Sequence, residues 1–214
     1  MAKFKPKAKM FRAVKHCVDA DSSTDVFDVF SGVRPIEKKC KWSSLPGRQD
    51  GRRPRQSEYS LLMSTKQAIK RYYGVREKPF KNAYQNAANK RGSTADNLLY
   101  LLEHRLDNVV FSAGFASTRA ESKQMVSHGH ICVNDKRVNV SSYLVGLGDV
   151  ISIAKSAKDH KRIAVSLALA EQKESPSWLE IDTAVKSVKV AKLPDLSGLH
   201  AMFKVNNVVE LYSK

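Results

Sequence analysis

The sequence predicts an α+β protein in which helical stretches flank a helix–helix–hairpin–strand unit with a small mixed sheet. Three observations predict it. Apolar residues recur at helical spacing on both sides of residues 97–153. Within that stretch the spacing changes to strand-like alternation at Ile131–Val133 and again at Val150–Ile153. Gly74, Gly92, Gly114 and Gly129 stand where the helical patterns stop.

From the N-terminus, residues 1–20 are Lys-rich and nearly aperiodic, suited to a tail or to an arm that orders on a partner. Ser23 to Phe30 make a short helix candidate with Val26, Phe27 and Phe30 apolar. Leu45 to Arg55 carries two glycines, two prolines and four arginines and has no core-forming pattern. Such a segment can lay guanidinium forks along phosphates. Ser57 to Tyr73 is a helix with Leu61, Leu62, Thr65, Ile69 and Tyr72 on one face and Lys66, Lys70 and Arg71 on others. Lys78 to Arg91 is the next, with Pro79 in its first turn and Phe80, Ala83, Tyr84 and Ala87 as its stripe. Tyr72, Tyr73 and Tyr84 have the spacing of core residues, though tyrosines can also stack on unpaired bases.

Leu98, Leu102, Leu106 and Val109 form one buried stripe on a helix that Ser93 with Asp96 can start and Gly114 can stop. Thr118 can cap the following helix, with Glu121 reaching back from the third position, and Gly129 can end it. If that helix packs through Ala120 and Val126, Arg119 and Lys123 share an exposed face, which can grip successive phosphates but which spacing alone favours as a plain solvated surface. Asn134-Asp135 suit a tight turn from Ile131–Val133 into Lys136 to Val140. Further on, His160 to Lys173 is helical, with Ile163, Leu167 and Ala170 on one side, until Pro176 breaks the pattern. Trp178 to Asp182 and Lys186 to Val190 read as short strands or extended pieces, and Val208 to Tyr212 should dock.

With 37 Lys+Arg against 21 Asp+Glu in 214 residues, the chain carries +16, which a polyanionic partner accounts for. Residues 1–100 hold +13 of that charge. Cys17, Cys40 and Cys132 are odd in number and far apart, which suits a reducing compartment and argues against a disulfide framework or a thiolate zinc site. No apolar run is long enough to span a membrane, and the basic N-terminus lacks the apolar centre of a secretory signal. No G-x-x-x-x-G-K-[ST], G-x-G-x-x-G or H-E-x-x-H sequence occurs, and no nucleophile–base pattern emerges, so the chain is not expected to be an enzyme. His128 and His130 lie one residue apart without a further ligand set, which favours RNA contact or plain exposure over a metal.

RLDNVV (Arg105 to Val110), GFASTRAES (Gly114 to Ser122), MVSHGHICVN (Met125 to Asn134) and GDVISI (Gly148 to Ile153) resemble the RNA-binding module named after bacterial small-subunit ribosomal protein four. Pseudouridine synthases, a tRNA synthetase and a heat-shock protein share that module. The flanks extend the likeness. Ser31 to Arg34, Pro46-Gly47, Arg52 to Arg55 with Ser57-Glu58-Tyr59, Lys66-Gln67, Arg71 to Val75, Phe80 to Asn82, Pro176 to Glu180 and the ending VELYSK are similar, in order, to the ribosomal protein four family.

The resemblance implies a helical domain (45–96 and 173–214) with the RNA-binding domain (97–172) inserted, after a basic extension (1–44). It implies a structural, cytoplasmic protein of the bacterial ribosome without a cofactor. Its partners would be the five-prime domain of small-subunit rRNA, the neighbouring small-subunit protein five, and mRNA on its way into the subunit. Roles in nucleating assembly and in decoding accuracy follow from the same likeness. The rRNA contacts implied are Lys7, Lys9 and Arg12 in the arm, Arg52, Arg53 and Arg55 in the loop, and Lys66, Lys70 and Arg71 on the helix; Arg48 of the loop is a further candidate from its charge alone. In the module they are Arg119, Lys123 and His128, and Arg105, Lys136 and Arg137 are further candidates from the unit's basic side. The chain departs from the family at Arg48-Gln49-Asp50, where Gln-His-Gly is usual, at Ser112, usually basic, and at Asp135, usually Gly. Some relatives carry a cysteine zinc cluster near the N-terminus, which Cys17 and Cys40 alone do not reproduce. A repressor that binds an mRNA fold mimicking rRNA, and an RNA-modifying enzyme, are the competing classes. The first is tested by leader-mRNA binding without ribosomes, the second by a turnover assay.

Overall fold

In the computed structural model, the described residues are 7–13, 57–157, 160–170, 176–183 and 185–213. The expected helix at Ser23 to Phe30 and the arginine loop Leu45 to Arg55 lie outside them. The chain divides into two compact units, the described part of the second being drawn from Asp96–Leu196 and the first from the sequence on either side.

The first unit is helical. It contains α1 (Lys7–Arg12), α2 (Glu58–Tyr72), α3 (Glu77–Ala88), and at the far end of the chain α8 (Ser197–Phe203) and α9 (Asn206–Ser213). The short helix α1 lies where an aperiodic arm was expected. Ser57 caps α2 by accepting a hydrogen bond from the Ser60 amide, and Gly74, at φ 62°, turns the chain away after it. Leu62, Thr65 and Ile69 face the core, as spacing predicted, and Ala68 joins them, but Leu61 is exposed. Phe80 and Ala87 bury α3. The ending docks: Val208 is buried, and the Tyr212 ring lies 4.6 Å from that of Tyr84 and 6.4 Å from that of Phe80. Tyr72 packs against Tyr73 and Phe203, so these tyrosines serve the core.

The second unit opens on α4 (Thr94–Glu103), α5 (Leu106–Ser112) and α6 (Arg119–Ser127). The stripe Leu98, Leu102, Leu106 and Val109 is buried throughout, yet it runs over two helices, not one. The break has a local cause. Arg105 is extended and bridges Leu144, the Leu106 amide donates to the Tyr143 carbonyl (2.8 Å), and the Val145 amide donates to the His104 carbonyl (2.9 Å). Satisfying those groups across a loop competes with the helical ladder at this point.

After α6 come β1 (Ile131–Val133), β2 (Lys136–Arg137), β3 (Val150–Ile153), α7 (Lys161–Ala170), β4 (Leu179–Asp182) and β5 (Ser187–Val190). Asn134 and Asp135 take φ of 48° and 63°, the twist a two-residue hairpin requires. The expected strand to Val140 stops at Arg137. All strands form one sheet in the order β2-β1-β3-β5-β4, and every pairing is antiparallel, so the sheet is not mixed. The sequence reading assigned 173–196 to the helical domain. Instead β5 pairs with β3, placing Val188 opposite Ile151, and the second unit runs on to Leu196. The physical reason is burial: Trp178, Leu179, Val188 and Val190 complete a core with Leu106, Val110, Phe115, Val126, Ile131 and Ile151.

Candidate nucleic-acid interface

The cations of the second unit are set by α5, α6 and the hairpin. Thr118 caps α6, its hydroxyl accepting from the Glu121 amide (3.2 Å). Glu121 reaches one residue further back than a capping box requires, accepting from the Ser117 amide (3.1 Å) and hydroxyl. Ser122 donates to the Asp107 carbonyl (2.7 Å) and so locks α6 to α5. The helix packs through Ser122 and Val126, whereas Ala120 is exposed, contrary to the sequence expectation.

That rotation changes the setting of Arg119 and Lys123. Neither rides on an open solvated face, and both are half-buried. Arg119 donates from Nε to Asn108 Oδ1 (3.2 Å) and lays its guanidinium 4.3 Å from the Phe111 ring centre. Asn108 is itself fixed by donating to the Glu103 carboxylate (2.7 Å). Lys123 Nζ lies 3.3 Å from Asp107 Oδ2, and Arg105 forks onto both carboxylate oxygens at 3.1 and 3.0 Å. Asp107 is almost fully buried. Two cations against one carboxylate leave this group positive, with each head oriented by a protein partner before any ligand arrives.

On the hairpin, Arg137 donates to the Gly129 carbonyl (2.6 Å) and the His128 carbonyl (2.9 Å). Gly129 takes φ 69°, and a Cβ there would stand 2.2 Å from Arg137 Nε, so the glycine is what lets this arginine close over the turn. Lys136, Arg137 and His128 are exposed.

In the first unit the structure brings Lys66 and Lys70 together on Glu77 of α3, Lys66 at 2.8 Å, and the Tyr212 hydroxyl donates to the same carboxylate (3.0 Å). Burial would raise the Glu77 carboxyl, but the hydrogen bonds from Lys66, Lys70 and Tyr212 outweigh it and hold it at about 2. Lys66 is buried and also lies over the Tyr212 ring. Arg71 donates to the Met10 carbonyl of α1 (2.5 Å), and burial lowers its pKa. The sequence reading set these three residues on faces away from the core, toward phosphates. In the structure Lys66 and Lys70 clamp α3 and α9, while Arg71 holds α1. Lys9 is exposed and Arg12 half-buried; Lys7 lies on α1. Arg48, Arg52, Arg53 and Arg55 lie outside the described residues.

Sequence reasoning missed Asp107, Asn108 and Phe111 as the groups that orient the module's cations, and Glu77 as the anchor of two lysines. The i, i+2 spacing of Arg105 and Asp107 was a usable signal for the first. Among the described residues no helix is long and apolar enough to cross a membrane.

Two family models match the chain: the S4 domain over residues 104–151 and the Ribosomal protein S4/S9 N-terminal domain over residues 6–103. The chain is 49% identical over 184 residues to the small ribosomal subunit protein uS4 of Legionella pneumophila (strain Paris), covering 86% of this chain and 89% of that protein. It is 48% identical over the same length to the uS4 protein of strain Corby, with the same coverage. With the helical unit, the α4–α6 module and its hairpin matched together, the chain belongs to the ribosomal protein S4 (uS4) family.

Proposed function

We propose that the protein is a structural, non-catalytic constituent of the small ribosomal subunit that binds small-subunit rRNA. The observation that carries this reading is the oriented cation group of the module: Arg105 and Lys123 held by buried Asp107, and Arg119 held by Asn108 and Phe111. Fixing these heads in advance lowers the side-chain entropy that RNA binding would otherwise cost. The mechanism is phosphate neutralisation. A chain of net charge +16 lets RNA helices approach one another despite their own phosphates. The family resemblance supports the finer reading. The protein binds the five-prime domain early, nucleates assembly, meets protein five of the subunit, lines the path by which mRNA enters, and influences decoding accuracy. This places it in the cytoplasm, within ribosomes.

The test is a binding titration of the full chain against a transcript of the five-prime domain, with co-sedimentation on small subunits. Saturable binding that prefers this transcript to other rRNA domains of equal length, together with co-sedimentation, is expected. Equal affinity for all transcripts would overturn the specific role.

A further inference from the structure

Three histidines from three segments converge beside the hairpin. His128 ends α6, His130 leads into β1, and His160 precedes α7. The His130 ring is central, 5.8 Å from the His128 ring and 5.4 Å from the His160 ring, edge-on to both. Backbone bonds fix the arrangement: the His130 amide donates to the Met125 carbonyl (3.0 Å), and its carbonyl accepts from the Ala154 amide (2.8 Å). Arg137 closes over the turn through the carbonyls of His128 and Gly129. His130 Nδ1 is buried and has no hydrogen-bond partner. Among the described residues, the groups whose charge acts on His130 are His160, His128 and Arg137, and no carboxylate is among them.

Among the described residues the groups facing His130 are all basic, so the cluster offers N–H donors from Arg137 and the rings and gains positive charge when an imidazole takes up a proton. Among the described residues no group of three or more His, Cys, Asp or Glu is placed to hold a metal ion, so a cation does not fit it. An anion with acceptor oxygens does. We propose that His128, His130, His160 and Arg137 form a proton-coupled phosphate subsite, occupied by a phosphodiester of the bound RNA. This subsite rests on the rRNA-binding reading above and adds His130 and His160 to it.

Burial, then His160, His128 and Arg137, lower the pKa of His130 below its ordinary 6.5, so in the free protein it is neutral at neutral pH. A phosphate beside it favours the charged imidazole and raises that pKa. Between the free and the bound pKa, binding takes up a proton, so affinity rises as pH falls and weakens as pH rises through that window.

The experiment measures affinity of the full chain for the five-prime-domain transcript from roughly pH 8 to pH 5.5 at constant ionic strength. The native protein and the H130Q and H130Q/H160Q variants are compared. The native affinity should gain up to about tenfold per pH unit for each proton taken up, and the double variant should lose most of that dependence while still binding. In parallel, histidine ring NMR follows His130 in the native protein with inorganic phosphate and with the RNA. A raised His130 pKa in both arms assigns the site to phosphate in general, and in the RNA arm alone to a positioned phosphodiester. Binding with identical pH dependence in native and double-variant proteins, or a His130 pKa unmoved by either probe, overturns the subsite alone. No RNA binding at any pH overturns the rRNA reading and the subsite with it.

Discussion

Arg105 and Asp107 are joined by a two-pronged ion pair, Nε to Oδ1 at 3.1 Å and Nη2 to Oδ2 at 3.0 Å, at the start of α5. The carboxylate side chain is 5% exposed and also meets Lys123, so one buried acid orients two of the module's cations. Removing it strands both charges. Asp107→Ala should cost about 3 kcal/mol of unfolding free energy, measured by urea denaturation, and weaken RNA binding even where the protein remains folded. Unchanged stability would reduce the pair to an incidental contact.

Arg119 tests whether its stacking matters. Arg119→Ala loses both the Phe111 ring and Asn108, so it should lower stability by about 1 kcal/mol as well as RNA affinity. A solvated-face arginine would lose affinity alone. Thermal unfolding beside a binding titration separates the two outcomes.

Glu77 makes the helical unit sensitive to acid. Its folded pKa is depressed to about 2 from an ordinary 4.5, so its stabilisation is present above pH 4.5 and lost as pH falls toward 2. The side chain is 49% exposed, so solvent screens the cluster and the effect should be on the order of 1 kcal/mol. Urea midpoints at neutral and acid pH should diverge less in Glu77→Gln than in the native protein. Tyr212, whose pKa is raised by burial and by Glu77, loses its hydroxyl bond in Tyr212→Phe, which should reproduce part of the same change.

The basic first half makes a separate prediction. Log affinity should fall linearly with log salt, by roughly 0.7–0.9 per phosphate contact. Replacing Arg52, Arg53 and Arg55 with Ala should shallow that slope by roughly two units, with little change in thermal stability. The Arg119→Ala/Lys123→Ala pair should shallow it less. An unchanged slope in the triple variant would leave this loop a passive linker.

Signals confined to a few residues were readable in the chain before its fold. Thr118 as a cap, the left-handed Gly129, the Asn134-Asp135 turn and the buried Leu98–Val109 stripe each depend on neighbours within a turn or two. Local sterics and hydrogen bonding fix such features. The family likeness was legible for the same reason, since its motifs are contiguous. The helix rotation that buries Ser122 in place of Ala120 was not, because both residues are small and neither betrays its face.

The sequence by itself determined most element types outside the Lys7–Arg12 helix and the break at Arg105, the basic charge and its concentration in the first hundred residues, and the kinship with an RNA-binding family. Only the tertiary structure decided which cations are oriented and by what. Tyr212 meets Glu77 across 135 residues of chain, and β5 pairs with β3 after an intervening helix. It alone gathered His128, His130 and His160 and turned Lys66 from an expected phosphate contact into a buried clamp. The reason is physical: helix and turn formation are governed by groups close along the chain. Charge pairing and desolvation depend on distances in space that only the packed core sets.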